Sequence, residues 1–263
     1  MLPGVYKNYK KDGTLYFRSS ITYHGKHISL GSFSSEKEAS DAYTQANKLL
    51  YDTSFTLENY TDGHILSFSK WVSLLNFRDN GIYIKTPIYL YKRYFYYFFG
   101  PDDFFTFDID DLFYFSTRTI SRRGGHLFVA DYGMQINILS RFGIKNFAVK
   151  DRDYRFINGN SKDFRYSNIE VINQFHGVTK KENRGSVYYE TKIHWNGYFT
   201  VGRYKNEIEA AIAYNKAASI LLTKGYEKEY PVNYIETLSR EEYKQIYKNV
   251  TVSRRISDLT PLP

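Results

Sequence analysis

GVYKNYKKDGTLYFRSSITYHGKHISLGSFSSEKEASDAYTQANKLL, residues 4–50, decides the fold reading, because the chain carries a second version of it. At residues 177–222 stands GVTKKENRGSVYYETKIHWNGYFTVGRYKNEIEAAIAYNKAASILL. Self-similarity within one chain marks a supersecondary unit built twice. Gly4-Val5 matches Gly177-Val178, Tyr16 matches Tyr188, and Ile21 matches Ile193. Gly25 and Gly31 match Gly197 and Gly202. Glu36, Glu38, Ala39, Ala42, Tyr43 and Ala46 match Glu207, Glu209, Ala210, Ala213, Tyr214 and Ala217. The offset drifts from 173 to 171, a matter of small loop changes.

Each copy reads as three strands and a helix. The second strand ends at a turn, HGK or WNGY, and Asn196-Gly197 favours a tight hairpin because both residues tolerate positive φ. A third strand follows, ISLGSF or FTVGRY. Ser35-x-x-Glu38 and Asn206-x-x-Glu209 then place a side-chain acceptor at the N-cap and a glutamate at N3. Alanines 39, 42 and 46, and 210, 213 and 217, recur at three- and four-residue spacing, a stripe small enough to let the helix lie close on the sheet. The expected class is α+β, with two three-stranded antiparallel sheet-plus-helix modules.

One helix covers one sheet face, and alternation says what lies on the other. In the first copy Phe17, Ser19, Ile21, Ile28 and Leu30 face the helix. Arg18, Ser20, Thr22, His27 and Ser29 face outward, joined by Tyr6, Asn8 and Lys10. In the second, Thr191, Ile193, Phe199 and Val201 face in. Glu190, Lys192, His194, Tyr198 and Thr200 face out with Thr179 and Lys181, and Arg203 is counted with them. Such a polar, basic and aromatic face suits a DNA groove, where strands can read base edges. The competing reading is an ordinary solvated sheet face.

Both copies resemble the AP-two / ethylene-response-factor DNA-binding domain. The residues that carry the likeness are Gly-Val, the second-strand isoleucine, the glycine turn, Leu30-Gly31-Ser32-Phe33 (Val201-Gly202-Arg203-Tyr204), the Glu-Ala helix, and a closing Asn59-Tyr60 or Asn233-Tyr234. The resemblance implies docking of the exposed sheet in the major groove. The arginines and tryptophan of the family's face are mostly replaced, by Tyr6, Asn8, His27, Ser29, Thr179, Tyr198 and Thr200.

Composition sets the outer bounds. A chain of 263 residues holds one large domain or two to three small ones. With no cysteine there are neither disulfides nor thiolate metal sites. Together with the lack of a secretory leader this favours the cytoplasm. No apolar run approaches the roughly 20 residues of a membrane span. The nearest, IYLYKRYFYYFF at 88–99, is interrupted by Lys92 and Arg93 and reads as buried strand. A formal charge of +8 favours a polyanionic partner, most simply nucleic acid. The excess is local: residues 112–175 carry 10 Lys+Arg against 5 Asp+Glu, and 176–234 carry 9 against 6.

Between the copies, Ser67 to Leu75 reads as a short helix and Gly81 to Phe99 as one or two strands. FDIDDLFYFSTRTISRRGGHLFVADYG reads as strand, Arg-Arg-Gly-Gly turn, strand. Arg118, Arg122 and Arg123 there form either a phosphate grip or a solvated turn. Asp108, Asp110 and Asp111 invite a metal reading, or cap a turn. MQINILSRFGI, from Met134, has the apolar spacing of a short helix.

RFINGNSKDFRYSNIEVIN, residues 155–173, follows as strand, Asn158-Gly159-Asn160 turn, and short helix. With Asp163, Arg165 and Asn168 at these spacings it resembles the HNH homing-endonuclease finger, a family that often carries an AP-two-type repeat directly after the finger. The finger then occupies about 112–175, as a degenerate ββα-like element. The resemblance puts the histidine base at Phe156 and the central asparagine at Phe164. It keeps the last asparagine as Asn168 and replaces an upstream His-Arg pair by Met134-Gln135. A nuclease of this type needs a general base and metal ligands, and phenylalanine supplies neither. A kept frame with lost catalysis is expected, with no metal and no cofactor. Lys150, Arg152, Arg155, Lys162 and Arg165 are expected to hold DNA, Arg165 alternatively anchoring the finger.

The expected organisation is 1–60, first module; 61–175, aromatic-rich centre with the degenerate finger; 176–234, second module; 235–263, a helix opened by Ser239-x-x-Glu242 and a basic tail. The tail, SRRISDLTPLP, reads as a phosphate-binding arm or a frayed end. The expected function is sequence-specific binding of double-stranded DNA, by a regulator of transcription, a mobile element or a phage. Two alternatives stand beside it. One is a metal-dependent nuclease built on His126 with the Asp108–Asp111 cluster. The other is a protein-interaction module that blocks a host factor through residues 81–115.

Overall fold

The computed structural model describes residues 2–226 and 228–260. The fold is α+β, built from small antiparallel sheets and a few helices. Two compact units divide the chain. The first holds residues 1–137 and 160–168, the second 138–159 and 169–263. The expected central domain at 61–175 is therefore apportioned to both units.

In the first unit β1 (Val5–Tyr9), β2 (Leu15–Tyr23) and β3 (Lys26–Phe33) form a sheet in sequence order. α1 (Glu36–Tyr51) lies on one face. Its start is a capping box: Ser35 Oγ accepts from the Glu38 N–H at 3.2 Å, and Glu38 Oε2 accepts from the Ser35 N–H at 3.1 Å. Ala39, Ala42 and Ala46 are fully buried under the sheet, as their small size requires. α2 (Phe68–Asn80) runs five residues past the expected end at Leu75 and is closed by Gly81 in the left-handed conformation at φ +72°. Its Trp71, Leu74, Leu75 and Phe77 join Ile21, Ile28, Leu49 and Leu50 in one core. Trp71 buries its ring completely and donates its indole N–H to Thr56 O at 3.0 Å.

β4 (Ile88–Leu90), β5 (Tyr94–Gly100) and β6 (Asp103–Asp108) make a second sheet. Phe95, Tyr97, Phe105 and Phe107 line its buried face. After the short α3 (Leu112–Phe115) come β7 (Ile120–Arg123), β8 (His126–Asp131) and β9 (Met134–Asn137). The helix expected from Met134 is absent. Tyr132 and Gly133, at φ +47° and +80°, close a two-residue hairpin, and Met134–Asn137 pairs with β8. Residues 138–142 are one 3-10 stretch.

Residues 160–168 complete the first unit by docking on β6. The Thr106 N–H donates to Lys162 O at 2.9 Å, and the Phe164 N–H to Thr106 O at 2.8 Å. Phe164 stacks on Phe107 at 5.5 Å. Asn168 is buried and donates to Asp163 O at 2.8 Å, closing the segment on itself.

In the second unit β10 (Tyr154–Phe156) pairs antiparallel with β11 (Ile169–Val171). The helix expected at the end of the finger is a 3-10 turn, Tyr166–Asn168, followed by this strand. The β-branched Ile169 and Val171 fit a pleat better than a helix. β12 (Val178–Asn183), β13 (Ser186–His194) and β14 (Tyr198–Tyr204) repeat the first sheet. α4 (Glu207–Thr223) covers it, capped by Asn206 Oδ1 on the Glu209 N–H at 2.8 Å.

α5 (Arg240–Asn249) and the single turn α6 (Arg254–Ser257) pack on α4. Val250 and Ile256 enter the α4 core, and the Lys224 ammonium donates to Ser257 O and Leu259 O. Up to residue 260 the tail is thus a docked cover, neither an extended arm nor frayed. Its last three residues lie outside the described ones.

Candidate nucleic-acid interface

The two sheets agree down to their irregularities. Each central pair of strands slips register at one place, between Ser19 and Ser20 and between Thr191 and Lys192, leaving Leu30 or Val201 as the extra residue. Both extra residues are buried. Beside each bulge the central strand is also tied to the first strand in the same way: Ser20 N–H donates to Gly4 O at 3.0 Å, Lys192 N–H to Gly177 O at 2.8 Å. Gly4 and Gly177 stand at φ +71° and +74°, and a Cβ at either would strike the ring of Tyr43 or Tyr214. Glu36 Oε1 accepts from the Leu2 N–H and Glu207 Oε1 from the Gln174 N–H, tying each entering strand to its helix. Burial pushes the Glu207 carboxyl above its ordinary range. The repeated Gly-Val, Glu-Ala and Tyr letters are therefore the parts that set strand entry, bulge and helix against one another.

One repeated pair does not share a role. Asn233 is buried and holds both backbone groups of His176, at 2.8 and 3.0 Å. Asn59 is exposed and accepts only from Thr56.

On the first outward face, register puts Tyr6, Arg18 and Ser32 in one row, Asn8 beside Tyr16, Ser20 beside Ser29, and Thr22 beside His27. Tyr6, Asn8, Arg18, Ser20, His27 and Ser29 line a shallow recess of about 460 Å³. Ser20 is a correction in degree: on the outward side, but only 8 % exposed. Thr22 Oγ1 lies 3.5 Å from His27 Nδ1. Lys10 is exposed beyond the end of β1.

On the second outward face the rows are Thr179, Glu190 and Arg203; Lys181 and Tyr188; Lys192 and Thr200; His194 and Tyr198. Glu190 pairs with Lys192 at 3.0 Å and with Arg203 at 3.7 Å, and Arg203 lies over the Tyr188 ring at 5.4 Å. His194 meets the Tyr198 ring edge-on and takes the Lys228 ammonium at 2.7 Å from Nδ1. Tyr16 and Tyr188 were not among the face residues expected from the sequence, although strand parity already placed them there, whereas Ser32 has inward parity in the sequence and reaches the outward face through the bulge at Leu30. Lys228 lies beyond the repeat and left no signal.

The central basic residues are organised differently. Arg118 bonds Asp131 at 3.1 Å and stacks on Tyr114. Arg122 and Lys162 share Asp103, both at 2.9 Å, and those two cations hold its carboxyl below the ordinary range. Arg165 grips Asp163 with Nε and Nη2 at 2.9 and 2.7 Å and lies over Tyr94, so it anchors its segment. In the second unit Arg152 pairs with Asp153, Arg155 with Glu170, and Lys150 sits over the Phe156 ring. Arg123 is exposed at the β7–β8 turn.

The supposed metal carboxylates also have structural partners. Asp108 accepts from the Tyr166 N–H at 2.7 Å and Asp111 from the Tyr166 hydroxyl at 3.3 Å, fastening residues 160–168. Asp110 and His126 are exposed. Among the described residues no three or more His, Asp or Glu side chains are grouped to hold a metal ion, and no helix is long and apolar enough to cross a membrane.

Phe156 and Phe164 are both buried, each within its own unit: Phe164 against Phe105 and Phe107, Phe156 in the β10–β11 pair beside Tyr154. Compared with family models, with curated proteins and with solved structures, the chain shows no match in any of the three.

Proposed function

We propose that the chain binds double-stranded DNA with the outward faces of β1–β3 and β12–β14, and that it binds without cutting. The observation that carries this is the shared bulge. It keeps both sheets in one register, so that each places basic, hydroxyl and aromatic side chains in rows on the face its helix leaves open. A twisted antiparallel ribbon of this kind fits the major groove, where each base pair shows a distinct set of donors and acceptors. Arg18 and Lys192 are the cations at the centre of the two faces. The buried Phe156 and Phe164 stand where a finger nuclease needs a base and an asparagine, and neither ring can take a proton or bind a metal. A regulator of transcription, of a mobile element or of a phage is the role that such binding serves.

Selection of bound duplexes from a randomised pool tests the binding and reports the site at once. Enrichment of one sequence supports the proposal, and no retention at low salt removes it. Incubation of supercoiled plasmid with Mg²⁺, Mn²⁺ or Zn²⁺ tests the second half. Metal-dependent cleavage that His126→Ala abolishes would replace it by a nuclease.

A further inference from the structure

The matched registers allow position-by-position comparison of the two faces, and one row differs in sign. Across the first sheet it runs Tyr6, Arg18, Ser32; across the second, Thr179, Glu190, Arg203. The guanidinium has moved from the central strand to the third strand, and a carboxylate stands in its former place. Glu190 is not itself a surface group: its side chain is 12 % exposed, against 67 % for Arg203 and 49 % for Lys192. Its two oxygens serve two cations, Oε2 facing Lys192 Nζ and Oε1 facing Arg203 Nε. Arg203 thus has two contacts on its own face, Nε 3.7 Å from Glu190 Oε1 and the guanidinium carbon 5.4 Å from the centre of the Tyr188 ring, while its side chain stays 67 % exposed. An oriented guanidinium fork is what bidentate recognition of a purine edge needs, and orientation before binding lowers the entropic cost of making it.

We infer that Glu190 is a positioning residue that aims Arg203 at a base edge, so that the two faces read DNA from different strands of their sheets and the bound site has two unlike halves. This rests on the proposal that the outward faces bind DNA. In the first face Arg18 is exposed and lines the recess together with Ser20, with no carboxylate in its row. In the second, the carboxylate removes one positive charge from the face and fixes the geometry of what remains. Affinity is given up there and discrimination gained, since a buried anion beneath the cations weakens their pull on any phosphate while restricting where the fork can point.

The test uses the full chain and three variants, Glu190→Gln, Arg203→Gln and the double variant. Each is titrated with the selected duplex and with a random duplex at two salt concentrations. Glu190→Gln keeps the shape and removes the charge. The selected-to-random affinity ratio is expected to fall about tenfold, the scale of one bidentate base contact, with random-duplex binding unchanged or tighter. Arg203→Gln is expected to lower the ratio as much, and Glu190→Gln to add nothing to it in the double variant, as for two residues acting as one. A role in folding alone predicts a parallel loss on both duplexes and a lowered melting temperature, which would overturn the inference. An unchanged ratio in Glu190→Gln, or a selected site of two identical halves, would also overturn it while leaving the DNA-binding proposal standing. Failure of the wild-type chain to hold any duplex would remove both.

Discussion

The salt dependence of DNA binding separates two ways of using the basic residues, and the structure gives each a number. Neutralising Z phosphates makes log K fall with log salt at a slope of about −0.9Z. The two outward faces present Lys10, Arg18, Lys181, Lys192 and Arg203. If these alone meet phosphates, with Glu190 offsetting one of the five charges, the slope is about −3.6, and affinity falls about 150-fold between 50 and 200 mM salt. If Arg118, Arg122, Arg123, Lys150, Arg152, Arg155, Lys162 and Arg165 join them, the slope approaches about −12. Those residues are mostly engaged with Asp103, Asp131, Asp153, Asp163 and Glu170, and a cation already neutralised by a carboxylate releases few counterions. The expected slope is therefore the shallow one. Fluorescence anisotropy on a labelled duplex over this salt range measures it directly. Arg18→Ala and Lys192→Ala should each weaken binding, and Arg18→Ala, at a position with no carboxylate in its row, should reduce the slope by about 1. A slope near zero, or near −12, would refute the assignment of the faces as the contact surface, as would no effect from either substitution.

Three predictions concern the frame that holds the faces. Gly177→Ala forces a Cβ into the left-handed region and to 2.5 Å from Lys192 O and the Tyr214 ring. It should destabilise the second unit by at least about 2 kcal/mol in urea unfolding, and a neutral result would contradict the bulge geometry. Thr191→Val and Ser19→Ala should differ although the positions correspond. Thr191 Oγ1 donates to Ala210 O at 2.9 Å, whereas Ser19 Oγ is buried with no hydrogen-bond partner among the described residues. The former is expected to cost about 1 kcal/mol and the latter nothing, by the same assay.

Asp153 is one carboxyl that contributes to the acid limb of the pH profile. Burial pushes its carboxyl up, but hydrogen bonds from Arg152, the Val149 N–H and Asn173, with the Arg152 charge, outweigh this and hold it below the ordinary range. Its contribution is thus full above the unfolded value of about 3.9 and is lost as pH falls through the lowered folded value. Thermal melts of Asp153→Asn should show a flatter decline below about pH 4 than the wild type. Parallel curves would exclude this carboxyl as the source.

What could be read from the sequence was local and periodic. Alternation in β2 and β3, the Asn-Gly hairpin and the alanine stripe each depend on neighbours a few residues apart, so the modules and their open faces were legible. The bulge was only half visible. It shows as the odd step from buried Leu30 to Phe33, which pairs with Phe17, and an odd step in a strand also looks like a strand end. The centre was not legible, because its decisive contacts span long separations. Asp103 meets Lys162 across 59 residues and Asp108 meets Tyr166 across 58. No local pattern announces such a pair, so the lysine and arginines looked like free phosphate contacts. The helix expected from Met134 failed for the opposite reason. Its apolar spacing was real, but Tyr132 and Gly133 had already committed the chain to a hairpin.

The docking of residues 160–168 on β6 also bears on the order in which a nascent chain can finish its parts. When Asn137 has been made, the first unit still lacks the segment that takes up the Thr106 amide and carbonyl, and the partners of Asp103, Asp108 and Asp111 are incomplete. It must wait through the synthesis of 138–159, which belong to the other unit. A first unit ending at Asn137, by stopped translation or by a single cut, therefore lacks every one of these contacts. A fragment ending there would carry an open sheet edge lined with phenylalanine, the kind of surface that recruits other chains.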